Sequence, residues 1–258
     1  MILCLDVGNT QIHGGVFRDD QLLMQFRKTS GSKSSSDEYG IFLRTVLREN
    51  GLEPRETQAI SICTVVPDVL HSIKNACRKY FDKTPFVLQA GAKTGLKIKY
   101  RNPVEVGADR IANSLACVHL YPNKNQIIVD FGTATTVCVV NKEREYLGGS
   151  ILPGMHISMQ ALETHTAKLP SVEIKRPDSI IGRSTIESIQ SGLFYGQLHM
   201  VRGMTQEIIK QLDWKGGDMP LLIGTGGFSS MFDADDVFDH IVPDLALKGL
   251  YLAFRLNN

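Results

Sequence analysis

Asp6-Val7-Gly8-Asn9-Thr10 returns in altered form as Asp130-Phe131-Gly132-Thr133-Ala134. Each copy follows an apolar run, Ile2-Leu3-Cys4-Leu5 first and Ile127-Ile128-Val129 later, and each leads into a second β-like run. The two aspartates stand 124 positions apart (130 − 6), close to half of a 258-residue chain. A duplicated domain gives that spacing, with the same strand–turn–strand unit opening each half. The unit suits phosphate. The strand sets a carboxylate at its end, glycine lets the backbone approach a ligand closely, and small hydroxyl or amide residues offer donors. A carboxylate near a polyphosphate also orients a hydrated metal ion, because hard cations take oxygen ligands. A single D-x-G-N/T is equally the composition of an ordinary turn between strands. Its return at half-chain spacing favours a nucleotide-binding duplicated fold.

The flanking sequence has an α/β pattern. Residues 3–7, 12–17 and 22–28 read as a strand meander, and residues 29–36 as a Ser-, Gly- and Lys-rich loop. Ser35 and Glu38 have capping-box spacing, opening a helix that stops near Asn50-Gly51. Residues 59–65 read as a buried strand, and Pro67 sits where the first turn of the next helix belongs. That helix carries Val69, Leu70, Ile73, Ala76, Cys77 and Tyr80 on one face. A short strand is expected at 86–88 and a helix bridging the halves at 106–121. Strands at 126–130, 135–140 and 145–149 then repeat the opening meander. Helices at 154–168 and 185–212, a strand at 220–224 and a helix from about residue 245 complete the pattern. Strand meanders followed by alternating strands and helices, twice over, indicate α/β with halves at 1–117 and 118–258.

Composition narrows the function. Apolar content of 43% and charged content of 21% are those of a soluble globular protein. With 28 basic and 27 acidic residues there is no global field to attract nucleic acid or an anionic membrane. The apolar N-terminus is short, without a basic leader region, and reads as a buried strand; no membrane span is expected either. Five cysteines, none in C-x-x-C spacing, read as core residues of a reducing compartment, so a cytoplasmic location is expected. There is no G-x-x-x-x-G-K-[ST] and no G-x-S-x-G.

Four segments carry the candidate chemistry. They are Asp6-Val7-Gly8-Asn9-Thr10; Tyr100-Arg101-Asn102-Pro103 with Glu105-Val106-Gly107-Ala108-Asp109-Arg110; Asp130 to Thr136 with Gly148-Gly149-Ser150-Ile151-Leu152-Pro153-Gly154; and Gly182-Arg183-Ser184-Thr185. In order and wording they resemble the type III pantothenate kinases, part of an actin-like ATPase superfamily that also holds sugar kinases. The resemblance runs from residue 6 to the Gly224-Thr225-Gly226-Gly227 turn. It implies duplicated actin-like (ribonuclease H-like) domains with mixed sheets and an interdomain active-site cleft. It implies ATP and pantothenate as substrates, Mg²⁺ with the ATP, a monovalent cation (potassium or ammonium), and a homodimer with substrate contacts from both subunits.

By that resemblance, Asp6, Val7, Gly8, Asn9, Thr10, Gln11, Ile12 and His13 form the first phosphate loop, with Asp6 positioning Mg²⁺ and the β- and γ-phosphates. Thr133 belongs to the second phosphate loop, Asp130 ligates the monovalent cation, and the 224–227 turn faces adenosine. Tyr100, Gly107, Ala108, Asp109, Arg110 and Thr185 hold pantothenate, with Asp109 the general base. From the residues alone, Asp109-Arg110 supplies a base and a cation for a substrate carboxylate, or else two solvated positions on a helix. Asp130 equally suits a second Mg²⁺-orienting carboxylate, Tyr100 a packing residue, and Thr185 a helix N-cap. His13 suits either a phosphate donor or a satisfied structural histidine. Two alternatives share the fold: a kinase of another sugar or acid, and a non-enzymatic accessory regulator.

Overall fold

The computed structural model describes residues 1–30 and 34–258. The chain divides into two compact units. One holds Met1–Leu96, Tyr100–His119 and Leu245–Asn258, the other Lys97–Lys99 and Leu120–Asp244. A division after residue 117 would have put the last helix in the second half; its contacts put it in the first unit.

The first unit is built on a five-stranded sheet: β1 (Ile2–Val7), β2 (Gln11–Arg18), β3 (Gln21–Thr29), β4 (Ala59–Thr64) and β5 (Phe86–Val87), in the order β3-β2-β1-β4-β5. β1, β2 and β3 run antiparallel as hairpins, whereas β4 and β5 join parallel to β1 through helical crossovers. Strand alternation fixes the faces. Leu3, Leu5, Val7, Ile60 and Ile62 are buried in one cluster with α1 (Ser36–Glu49) and α2 (Pro67–Phe81). Each such side chain contributes about 1.5–3 kcal/mol by burial. The opposite face of β1 and β4 is covered by α6 (Leu245–Asn257), where Ser61 Oγ donates to Leu250 O at 2.9 Å. The expected local signals hold. Ser35 and Glu38 form a full capping box, and Pro67 opens α2. Of the expected loop at 29–36, Thr29 closes β3, Ser36 opens α1, and residues 31–33 lie outside the described residues.

The second unit repeats the plan. β7 (Gln126–Phe131), β8 (Ala134–Val140), β9 (Glu145–Pro153), β10 (Leu221–Thr225) and β11 (His240–Ile241) follow the order β11-β10-β7-β8-β9, the first sheet's order read from its other edge. An extra strand, β6 (Lys97–Ile98), adds parallel to β9. Its two residues and those of β11 are too few to show a period in sequence. α5 (Thr185–Gln211) packs Phe194, Leu198 and Val201 against Ile127, Val129 and Phe131 of β7. α3 (Ala108–Leu120) is shorter than the expected 106–121, because Pro103–Glu105 forms a separate 3₁₀ turn before it. α4 spans Met155–His165. All five cysteines are buried, and none of them is in a disulfide. Among the described residues no helix is long and apolar enough to cross a membrane.

Candidate active site

Asp6 and Asp130 each take the penultimate position of the first strand of their sheet. β1 lies between β2 and β4, so Asp6 pairs with His13 on one side and Cys63 on the other. Directly opposed residues share a face, and His13, Asp6 and Cys63 therefore form a row across three strands. Cys63 Sγ donates to Asp6 Oδ1 at 3.1 Å. His13 is buried, with Nε2 3.0 Å from Gln25 Oε1. The carboxamide oxygen accepts, which puts the proton on Nε2. After Val7 the backbone turns through Gly8, Asn9 and Thr10. Gly8 N–H donates to Gln11 O at 3.0 Å, and Ser30 Oγ holds Gly8 O at 2.7 Å. Asn9, Thr10 and Gln11 are exposed, whereas Val7 and Ile12 point into the core.

The G-A-D-R segment belongs to the same unit. Asp109 stands in the first turn of α3, where its Oδ1 accepts the Arg110 N–H at 2.8 Å and satisfies one otherwise unpartnered helix donor. Two residues before it, a Cβ on Gly107 would press on Asp109 Oδ1, so glycine there leaves the carboxylate room to reach the helix end. Burial first, then the Asp6 carboxylate and then that of Asp109, push the Cys63 thiol well above its ordinary range. Cys63 thus touches Asp6 and lies within the electrostatic reach of Asp109. Arg110 is only 6% exposed, so it is not a solvated surface position, and its guanidinium lies 6.0 Å from the centre of the Tyr100 ring.

In the second unit Asp130 pairs with Thr136 on β8 and Thr225 on β10. Thr225 turns its hydroxyl to Val242 O at 2.7 Å. The 224–227 turn brings Gly226 against Asp130: its φ is +89°, and a Cβ there would meet Asp130 Oδ1 and the Phe131 backbone. Thr133 sits half-buried in the two-residue turn between β7 and β8. The carbonyls of Gly132 and Thr133 lie against Gly154, the N-cap of α4. Thr185 is the first residue of α5 but not its cap; Ser184 Oγ accepts the Glu187 N–H at 3.2 Å. Thr185 is exposed and, with Pro153, Ile157, Gly182, Arg183 and Ser188, lines a cavity of about 1070 Å³.

Among the described residues no three or more His, Cys, Asp or Glu side chains are arranged to hold a metal. A hard cation here would use one carboxylate, backbone carbonyls and the ligand's own oxygens, a donor set that fits Mg²⁺ carried by a polyphosphate. Two contacts escaped the sequence reading. Cys63 read as packing, and Gln25 carried no signal at all. The pairing of β1 with β4 was the only route to Cys63, since register alone sets it beside Asp6.

The repeated sheet order, with a carboxylate near the end of β1 and of β7 beside a glycine turn, is that of a duplicated actin-like α/β fold. More narrowly, the chain belongs to the type III pantothenate kinase family, whose model matches residues 2–207. A type III pantothenate kinase of Legionella pneumophila (strain Paris) is 56% identical over 259 residues, covering 100% of this chain and 99% of the relative. Two solved structures share the fold at low identity. One, described as a Baf family transcriptional activator from Campylobacter jejuni, matches with TM-score 0.60 and 20% identity over 98% of this chain and 97% of its own. The other, described as an N-acetylglucosamine kinase from Porphyromonas gingivalis, matches with TM-score 0.51 and 13% identity over 100% and 99%.

Proposed function

We infer that the chain transfers the γ-phosphoryl group of ATP to pantothenate, giving 4′-phosphopantothenate and ADP at the first step of coenzyme A synthesis. Full-length family membership carries this reading. The buried Cys63 thiol, which touches Asp6 and lies within the electrostatic reach of Asp109, supports the residue roles.

Asp109 is the base. Its Oδ1 is held by the Arg110 amide, which leaves Oδ2 for the primary hydroxyl of pantothenate. The hydroxyl oxygen attacks the γ-phosphorus, its proton passes to Asp109, and the bond to the β–γ bridging oxygen breaks as ADP leaves. The transition state is loose, so the protein contributes mainly position and electrostatics. Asp6 to His13 hold the β- and γ-phosphates, through the exposed Asn9, Thr10 and Gln11 of the turn. Thr133 adds a donor from the second turn. Tyr100, Gly107, Ala108, Arg110 and Thr185 bind pantothenate, with the Arg110 guanidinium matched to its carboxylate. Asp6 would hold Mg²⁺ together with the ATP phosphates, and the ion would offset their charge. Asp130, at the start of the Gly132-Thr133 turn and against Gly226, would hold potassium or ammonium near the nucleotide.

A homodimer belongs to the same reading. The exposed Ile157, Ile180, Ile181 and Ile186, in or beside segments that line the Thr185 cavity, support it. Cysteines held as buried thiols, outside disulfides, support a cytoplasmic location. The test is ADP release by the purified chain with Mg²⁺ and potassium, offered pantothenate, sugars or acetate separately. Turnover with pantothenate alone is expected. Turnover with a sugar or acetate in its place, or with no acceptor offered, overturns the reading.

A further inference from the structure

Two thiols of the first sheet face the same side. Cys4 and Asp6 alternate on β1, Cys63 lies beside Asp6 on β4, and Cys4 and Cys63 are each 0% exposed. Only one of them touches a carboxylate. Burial alone raises the Cys4 thiol, whereas Cys63 Sγ donates to Asp6 Oδ1. We propose that Cys63 is a positioning residue for Asp6, its S–H holding one carboxylate oxygen so that the other is presented to the Mg²⁺–ATP phosphates. The proposal rests on the reading of Asp6 given above.

Geometry carries it. Asp6 is half-buried near a strand end, and the Cys63 thiol reaches one of its carboxylate oxygens from the neighbouring strand. The thiol comes from the parallel neighbour in fixed register. That register is tightened just beyond the pair, where Thr64 Oγ1 and Val65 N–H both donate to Val7 O at 3.3 Å. A donor locked by a strand ladder orients a carboxylate more sharply than one on a loop. The full burial of Cys63 also keeps water from replacing the thiol as the donor to Oδ1.

The test compares wild type with Cys63→Ala, Cys63→Ser and Cys4→Ala. Three quantities are read: the Mg²⁺ concentration at half-maximal rate, calorimetric binding of the non-hydrolysable analogue AMP-PNP with Mg²⁺, and Tm. Cys63→Ala should raise the half-maximal Mg²⁺ concentration and weaken analogue binding about tenfold, the range typical of residues that orient a ligating carboxylate. Cys63→Ser, which keeps a donor, should restore both. Cys4→Ala should lower Tm and leave both Mg²⁺ readouts at wild-type values. If Cys63→Ala does not fold, Cys63→Val fills the volume without a proton and takes its place. A folded donor-less variant with wild-type Mg²⁺ dependence overturns the proposal, as does a folded Cys63→Ser that fails to restore it. A wild-type chain that neither phosphorylates pantothenate nor binds the analogue is a different result, and sinks the reading of the site itself.

Discussion

The turns after Asp6 and Asp130 have the same frame and different surroundings. Both aspartates are penultimate in the central strand of the repeated five-strand order, with an antiparallel hairpin on one side and parallel strands on the other. Asp6 is flanked by His13 and Cys63, Asp130 by Thr136 and Thr225. The first turn runs through three residues, Gly8 to Thr10, and the second through two, Gly132 and Thr133. At Asp6 a side chain donates to the carboxylate, whereas at Asp130 the parallel partner's hydroxyl turns away and a left-handed glycine comes close. Duplication has supplied one scaffold twice, and the chemical distinction is made by the cross-strand neighbours. Asp6 has a thiol donor from the parallel neighbour. Asp130 has the left-handed Gly226 close against its carboxylate, and the proposed roles of the two aspartates differ accordingly.

The largest effect is expected where the Asp109 carboxylate is disarmed. Asp109→Asn should lower kcat by on the order of 10²–10⁴ if Asp109 is the base. The fold should persist, because the asparagine oxygen still accepts the Arg110 N–H that caps α3. ATP binding should survive as well. Activity within about threefold of wild type would place proton acceptance elsewhere, or show that a loose transition state needs no protein base.

On the other side of the comparison, Asp130→Ala should reduce turnover by about 10- to 100-fold, the scale of losses at ion-orienting positions. It should also abolish the preference for potassium over sodium or lithium. Asp6→Asn is the contrast, since it should impair Mg²⁺ use and leave the monovalent preference intact. A wild-type rate indifferent to the monovalent ion would make Asp130 a second Mg²⁺-orienting residue, and the two turns would then be chemically alike.

The common frame was legible in the sequence and the difference between its two copies was not. The repeated D-x-G turn, the apolar runs and the capping signals predict both meanders and most helices within one to four residues, because each is a local pattern. The neighbours of the aspartates are non-local. Cys63 is 57 positions from Asp6, and nothing in its own surroundings distinguishes it from Cys4. Arg110 illustrates the same limit. Its place on a helix is readable, but its burial beneath Tyr100 depends on how α3 packs. β6 and β11, two residues each, exist only because neighbouring strands offer hydrogen bonds.

Arg110 sharpens the contrast from the substrate side. Arg110→Ala should raise the KM for pantothenate about tenfold or more, since a substrate carboxylate left unpaired costs more than about 1.5 kcal/mol. The KM for ATP should change far less, because the phosphate turns are separate segments. Equal increases in both would mean that the buried guanidinium supports the whole first unit and does not select the acceptor. Tm measured alongside separates these outcomes, as only the second requires a large fall.

The smallest effect concerns stability and separates the units by their thiols. Cys4, Cys63 and Cys77 all lie in the first unit, and burial raises each of them, Cys77 to about 12. In the unfolded chain a thiol titrates near about 8.5. A raised folded value means that the native state holds its proton longer. The associated stability is therefore fully present below about pH 8.5 and is lost as pH rises towards the folded value, at about 1.4 kcal/mol per pH unit for each thiol. Denaturant melts at about pH 8, 9 and 10 should thus show the free energy of unfolding falling steadily. Cys77→Ala should be less stable at every pH, through lost packing in the α1–α2 core, yet its decline between about pH 9 and 10 should be shallower by roughly one thiol's share. Parallel lines for the two proteins would show that Cys77 does not hold its proton in the native state, and with it would go the claim that burial sets the chemistry of the first unit's thiols.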